Sequence, residues 1–103
     1  MSLSTHVLDA VSGRPAAGMA VRLTRGSAVL ADAVTDADGR ARLPDPAAGT
    51  HALVFDTGGY FAATGQHGFY PEVTVAFTVT EPGRHHHVPL LLSPFAYSTY
   101  RGS

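Results

Sequence analysis

Glu72-Val73-Thr74-Val75-Ala76-Phe77-Thr78-Val79-Thr80 places a larger apolar side chain at every second position. Successive side chains of an extended chain point to opposite faces, so this stretch reads as a strand with one buried face. The same period recurs on either side of it. Met19, Val21 and Leu23 alternate with Ala20, Arg22 and Thr24, and Leu53 and Phe55 alternate with Val54 and Asp56. Turn-forming groups punctuate these runs: Ser12-Gly13-Arg14-Pro15, Arg25-Gly26-Ser27, Asp36-Ala37-Asp38-Gly39 and Pro44-Asp45-Pro46. The spacing predicts strands near 5–11, 19–25, 28–35, 40–43, 51–56, 72–80, 85–92 and 97–100. Residues 58–64 contain alanines without alternation and predict one short helix. Short strands joined by tight turns point to an all-β sandwich of two sheets.

The chain has 103 residues, which fits one domain over residues 1–103. It has no cysteine, so disulfides, thiolate zinc sites and a cysteine nucleophile are excluded. Net charge is −1 with no basic run, which argues against nucleic acid and against an anionic membrane surface as partners. The opening Met-Ser-Leu-Ser-Thr-His-Val-Leu-Asp-Ala is unlike a signal peptide, and a cytoplasmic protein is expected. Lys, Asn, Ile, Cys and Trp are all absent, as a GC-rich bacterial genome would favour, yet nine Phe and Tyr residues are kept.

Val88-Pro89-Leu90-Leu91-Leu92 breaks the alternation, being apolar on both faces of any strand. Proline within a strand usually marks an edge, and an apolar edge needs cover. A homo-oligomer is the expected source of that cover.

Six histidines are the most conspicuous candidates for chemistry. On a strand His85 and His87 share one face and His86 the other. Two imidazoles fall short of the three or four ligands that zinc sites use, so a solvated strand end competes evenly with a functional pair. His51 and His67 read as surface or packing residues. Asp36-Ala37-Asp38-Gly39 lacks the further ligands of a calcium loop and reads as an Asx-type turn. Arg40 and Arg42 follow it on one strand face and are expected to be solvated. There is no phosphate-binding glycine loop and no nucleophile-elbow serine. From residue patterns alone, the chain is a small all-β protein with histidine-rich strand ends.

The two ends of the chain carry a further signal. Ser4-Thr5-His6-Val7-Leu8-Asp9 with Gly13-Arg14-Pro15-Ala16, and His87-Val88-Pro89-Leu90-Leu91-Leu92-Ser93-Pro94 with Tyr97-Ser98-Thr99-Tyr100-Arg101-Gly102-Ser103, resemble the two signatures of the transthyretin-like family. Asp38-Gly39-Arg40, Phe55-Asp56-Thr57, Tyr60-Phe61 and Phe69-Tyr70-Pro71-Glu72-Val73 resemble family motifs between them. The Tyr-Arg-Gly-Ser ending is similar to that of the 5-hydroxyisourate hydrolase branch rather than the hormone carriers. The resemblance spans essentially the whole chain. His86, His51 and the Gly58-Gly59 pair depart from the family pattern.

This resemblance implies two four-stranded sheets with one short helix, assembled as a homotetramer with sites between subunits. It implies a small-molecule substrate, 5-hydroxyisourate, whose six-membered ring is opened hydrolytically to 2-oxo-4-hydroxy-4-carboxy-5-ureidoimidazoline during urate breakdown. Neither a cofactor nor a metal is implied. Carried over by position, the catalytic residues are His6, Arg40 and His87. Substrate contacts are expected from His6, Arg40, Tyr100, Arg101 and Ser103. Paired histidines suit water activation and proton return near neutral pH, and an arginine fork suits carbonyl or oxyanion recognition. The competing reading is a transthyretin-type carrier without catalysis, which two histidines and an arginine in the channel disfavour.

Overall fold

A computed structural model describes residues 3–103. The strands are β1 Leu3–Asp9, β2 Arg14–Pro15, β3 Ala20–Arg25, β4 Ala28–Val34, β5 Arg40–Leu43, β6 Gly49–Phe55, β7 Val73–Val79, β8 His86–Ser93 and β9 Ala96–Thr99. One helix, α1, spans Thr57–Ala63. The first sheet runs β2-β1-β8-β9, with β5 also paired to β1, and the second runs β4-β3-β6-β7. β5 borders Leu3–His6 and β2 borders Leu8–Asp9. The expected two-sheet sandwich with one short helix is therefore present, and the two-residue β2 is an addition. Its Arg14-Pro15 pair was expected to be turn only, because two residues carry no period.

Alternation does what the sequence expects. Inward positions of β1, β3, β6 and β8 bury Leu3, Val7, Val21, Leu23, Leu53, Phe55, Leu90 and Leu92 between the sheets. Each such side chain contributes roughly 1.5–3 kcal/mol through burial. Asp56 caps α1 by accepting the Gly59 N–H, and Tyr60 and Phe61 on that helix pack into the core.

β1 starts and ends two residues earlier than its pattern predicts. Asp9 turns inward and its Oδ1 accepts the N–H groups of Val11 and Ser12, so the chain bends where the strand was expected to continue.

The expectation that Val88–Leu92 forms an edge is corrected. β8 lies inside its sheet, parallel to β1 over Leu3–Asp9 and antiparallel to β9. Val88, Leu90 and Leu92 turn into the core, while Leu91 on the other face is exposed. The β9 ladder stops at Leu90, one residue short of Pro89, whose carbonyl instead accepts the Thr99 hydroxyl at 2.7 Å. Proline is thus tolerated where the regular ladder on that side has already ended.

Candidate active site

The outward face of the first sheet gathers Arg40, Arg42, His85 and His87 beside Ser4. Strand β1 buries Leu3, Thr5 and Val7 and turns Ser4 and His6 the other way. The antiparallel register sets His6 opposite Arg40 and Ser4 opposite Arg42. On its other side the parallel register sets Ser4 opposite His87. Residues from three distant stretches of chain are thereby brought to one face.

The Asx turn expected at Asp36–Gly39 positions Arg40. Asp36 Oδ1 accepts the N–H groups of Asp38 and Arg40 at 2.9 and 3.0 Å. The Arg40 N–H, with help from Asp38 and from the charges of Arg40 and His6, holds the Asp36 carboxyl below its usual range. Gly39 has φ 74°, and a Cβ there would also collide with the Val7 carbonyl, so the turn needs glycine.

His87 is half-buried, and its Nδ1 lies 2.8 Å from the Ser4 hydroxyl. The same hydroxyl lies 3.2 Å from His85 Nε2. The two imidazoles stack with centroids 6.3 Å apart and planes 16° from parallel, as expected for residues two apart on one face. Burial lowers the His87 pKa, and the neighbouring charges of His85, His6 and Arg40 lower it further. The ring is therefore biased towards the neutral form that can accept a proton at neutral pH. Among the described residues no group of three or more His, Cys, Asp or Glu side chains is arranged to hold a metal ion.

The end of the chain docks against this histidine. The Gly102 N–H donates to the His87 carbonyl at 2.9 Å, and a Cβ on Gly102 would collide with the His87 ring. The group that glycine spares here is His87. Ser103 closes a hollow of about 220 Å³ whose wall includes Ser4, Arg40, Arg42, His85 and His87. Tyr100 and Arg101 line a second hollow of about 280 Å³, which shares His87 and is otherwise walled by Phe77, Val88 and Thr99 among others. His87 with its docked terminus thus stands between two hollows, with Tyr100 facing one and Arg40 and Ser103 the other. Tyr100 is 60% exposed.

Arg40 is exposed and His6 half-buried. His51 is buried, donates its Nε2–H to the Ala47 carbonyl, and packs on Phe77, so it is a packing histidine. His67 is exposed. Ser4 was part of a quoted motif but was not singled out. The missed signal is the period of two, which places it on the His6 face.

A protein-family model described as the HIUase/Transthyretin family matches residues 3–102. The chain is 48% identical to the 5-hydroxyisourate hydrolase of Mus musculus, over 98% of this chain and 94% of that one. The solved structure of Klebsiella pneumoniae 5-hydroxyisourate hydrolase superposes with a TM-score of 0.88 at 40% identity, covering 99% of this chain and 93% of that one. Sea bream transthyretin, solved in complex with thyroxine, superposes with a TM-score of 0.89 at 33% identity, covering 97% and 93%.

Proposed function

Because the chain belongs to the HIUase/Transthyretin family, we propose that it is an enzyme that hydrolyses 5-hydroxyisourate by opening its six-membered ring at the cyclic amide. Backbone similarity does not separate hydrolysis from carriage, since a hydrolase and a carrier superpose equally well. The observation that favours hydrolysis is the His87 environment. A neutral-biased imidazole beside His6 and Arg40 is equipped to take a proton and to receive an anion. Carriage without reaction needs no proton acceptor.

Ring opening requires a nucleophilic water, a stabilised oxyanion and a protonated leaving nitrogen. His87 and His6 together activate the water and return its proton to nitrogen. Arg40 offers a planar donor fork to the substrate's carbonyl oxygens, and a single such donor to an oxyanion is worth about 3 kcal/mol. Ser103 bounds the hollow that holds Arg40 and His87. Tyr100 and Arg101 contact substrate from the second hollow. The product is 2-oxo-4-hydroxy-4-carboxy-5-ureidoimidazoline, in urate degradation. The reaction needs no cofactor. A chain without cysteine gains nothing from an oxidising compartment, in keeping with a cytoplasmic place.

The active assembly is a homotetramer with its sites between subunits. Phe69 and Phe95, 70% and 73% exposed, lie near the β8–β9 turn, where the Phe69 N–H donates to Pro94 O. Exposed aromatics grouped at one turn are suited to burial by another copy.

The deciding experiment follows the near-ultraviolet absorbance of freshly generated 5-hydroxyisourate, with sedimentation on the same sample. An enzyme accelerates the decay catalytically and sediments as a tetramer. Decay at the buffer rate, or slowed in proportion to protein as a carrier would slow it, overturns the reading.

A further inference from the structure

The Ser4 hydroxyl stands between two imidazole nitrogens, and nothing in the proposed chemistry so far uses it. It lies 2.8 Å from His87 Nδ1 and 3.2 Å from His85 Nε2. A hydroxyl has one proton to donate and lone pairs to accept with, so it can serve one ring as donor and the other as acceptor at once. Either direction satisfies both distances. In one, His87 Nδ1–H donates to Ser4 and Ser4 donates to His85 Nε2. In the other, His85 Nε2–H donates to Ser4 and Ser4 donates to His87 Nδ1. The two arrangements differ by a tautomer flip of both rings, and at His87 the flip moves the proton from Nδ1 to Nε2.

We propose that Ser4 and His85 form, with His87, a proton relay from the reacting water to solvent. This rests on the hydrolytic reading above. As the water oxygen bonds the substrate carbonyl carbon and the carbonyl π pair moves onto its oxygen, the water proton goes to His87 Nε2. The His87 Nδ1 proton passes to Ser4 Oγ, and the Ser4 hydroxyl proton passes to His85 Nε2. His85 is exposed and gives up its Nδ1 proton to solvent. His87 ends neutral with its proton on Nε2. As the ring C–N bond breaks, that proton goes to the leaving nitrogen, while Ser4 passes its proton to His87 Nδ1 and His85 Nε2–H passes one to Ser4. His85 Nδ1 takes one from solvent, which restores the starting arrangement.

The relay answers a difficulty that the site creates. A histidine that first takes a proton and later returns it is ordinarily an imidazolium in between. At His87 that charge would be half-buried on the wall it shares with the Arg40 guanidinium. Passing the proton onward through Ser4 transfers the charge to an exposed ring. Ser4 sits where this requires because it faces His87 across the parallel β1–β8 register while the next outward residue of β1 is His6. Ser4 is a positioning residue here, and His85 the outer end of the relay.

The test compares Ser4→Ala, Ser4→Thr and His85→Gln with the unaltered tetramer, whose own acceleration of 5-hydroxyisourate decay is established first. Ser4→Ala lowers kcat by about tenfold or more, within the scale of lost proton transfer, and leaves KM within about twofold. Ser4→Thr, which keeps the hydroxyl on a strand position, holds kcat within about threefold. His85→Gln lowers kcat by about tenfold, and added imidazole restores it in proportion to concentration, while the unaltered enzyme ignores imidazole. Unchanged kcat in Ser4→Ala overturns the proposal. So does a slow Ser4→Ala beside a fully active, imidazole-indifferent His85→Gln, because Ser4 then only orients the ring. If Ser4→Ala fails to assemble, Ser4→Thr and the exposed His85→Gln decide between the same outcomes. An unaltered protein without activity refutes the hydrolase reading instead and is recognised before any variant is made.

Discussion

The two ends of strand β1 carry polar groups of opposite kinds. At the Asp9 end one inward carboxylate accepts hydrogen bonds from Tyr60 Oη at 2.7 Å, Gln66 Nε2, and the N–H groups of Val11 and Ser12. Burial pushes the Asp9 pKa up, but these donors outweigh it and hold the carboxyl below its usual range. Burial and the same bond push the Tyr60 hydroxyl up to about 12. The group is satisfied from within the chain and ties α1 to the sheet. At the Ser4–His6 end, burial first and the neighbouring charges after it bias His87 towards its neutral form. A satisfied cluster spends its interactions on holding the fold. A cluster of like charges is costly to the fold and has something to gain from an anionic ligand.

That contrast can be broken most forcefully at the histidines. His87→Asn and His6→Asn are expected to lower the rate by roughly 10² or more while the tetramer survives, read by steady-state decay and sedimentation. Rates near those of the unaltered enzyme in both would make the outward cluster merely surface. Gly102→Ala is the next largest. Its methyl group must move either His87 or the terminal segment, and displacements of about 1 Å at a site cost up to about 10²-fold in rate. We expect about a tenfold or greater loss of kcat with little change in the urea midpoint. Full activity would show that the terminus is free to lift away.

Tyr60→Phe probes the other end. Hydrogen bonds to charged groups are worth about 1.5–3 kcal/mol, so urea unfolding should show a loss of that size with kcat unchanged. The sign of the pH dependence follows from Asp9. With its folded pKa lowered, its contribution is present above the ordinary carboxylate pKa and is lost as pH falls below it towards the folded value. Asp9→Asn should therefore flatten the acid limb of the stability curve; an unchanged limb would place the acid sensitivity elsewhere. The smallest expected effect is that of metal removal. Dialysis against a chelator should leave the rate unchanged, since His85 and His87 lack a third ligand among the described residues. Activity lost and regained only with zinc would reassign both histidines as ligands.

Sequence alone determined the elements other than β2, and the chemistry-bearing residue types. The period of two at Val73–Val79, the Asx turn before Arg40 and the shared face of His85 and His87 are all consequences of neighbours in the chain, which local geometry makes legible. The end motifs carried His6, Arg40 and His87 by resemblance. Tertiary structure alone decided that β8 is interior, because proline's missing donor matters only where a ladder continues, and the β9 ladder stops at Leu90. It alone put Tyr100 and Ser103 into different hollows, Gly102 against His87, and Ser4 between two imidazoles. The placement of Ser4 depends on register between β1 and a segment 83 positions away. Such register is set by packing the whole of two inner faces at once, so no single stretch of sequence contains it.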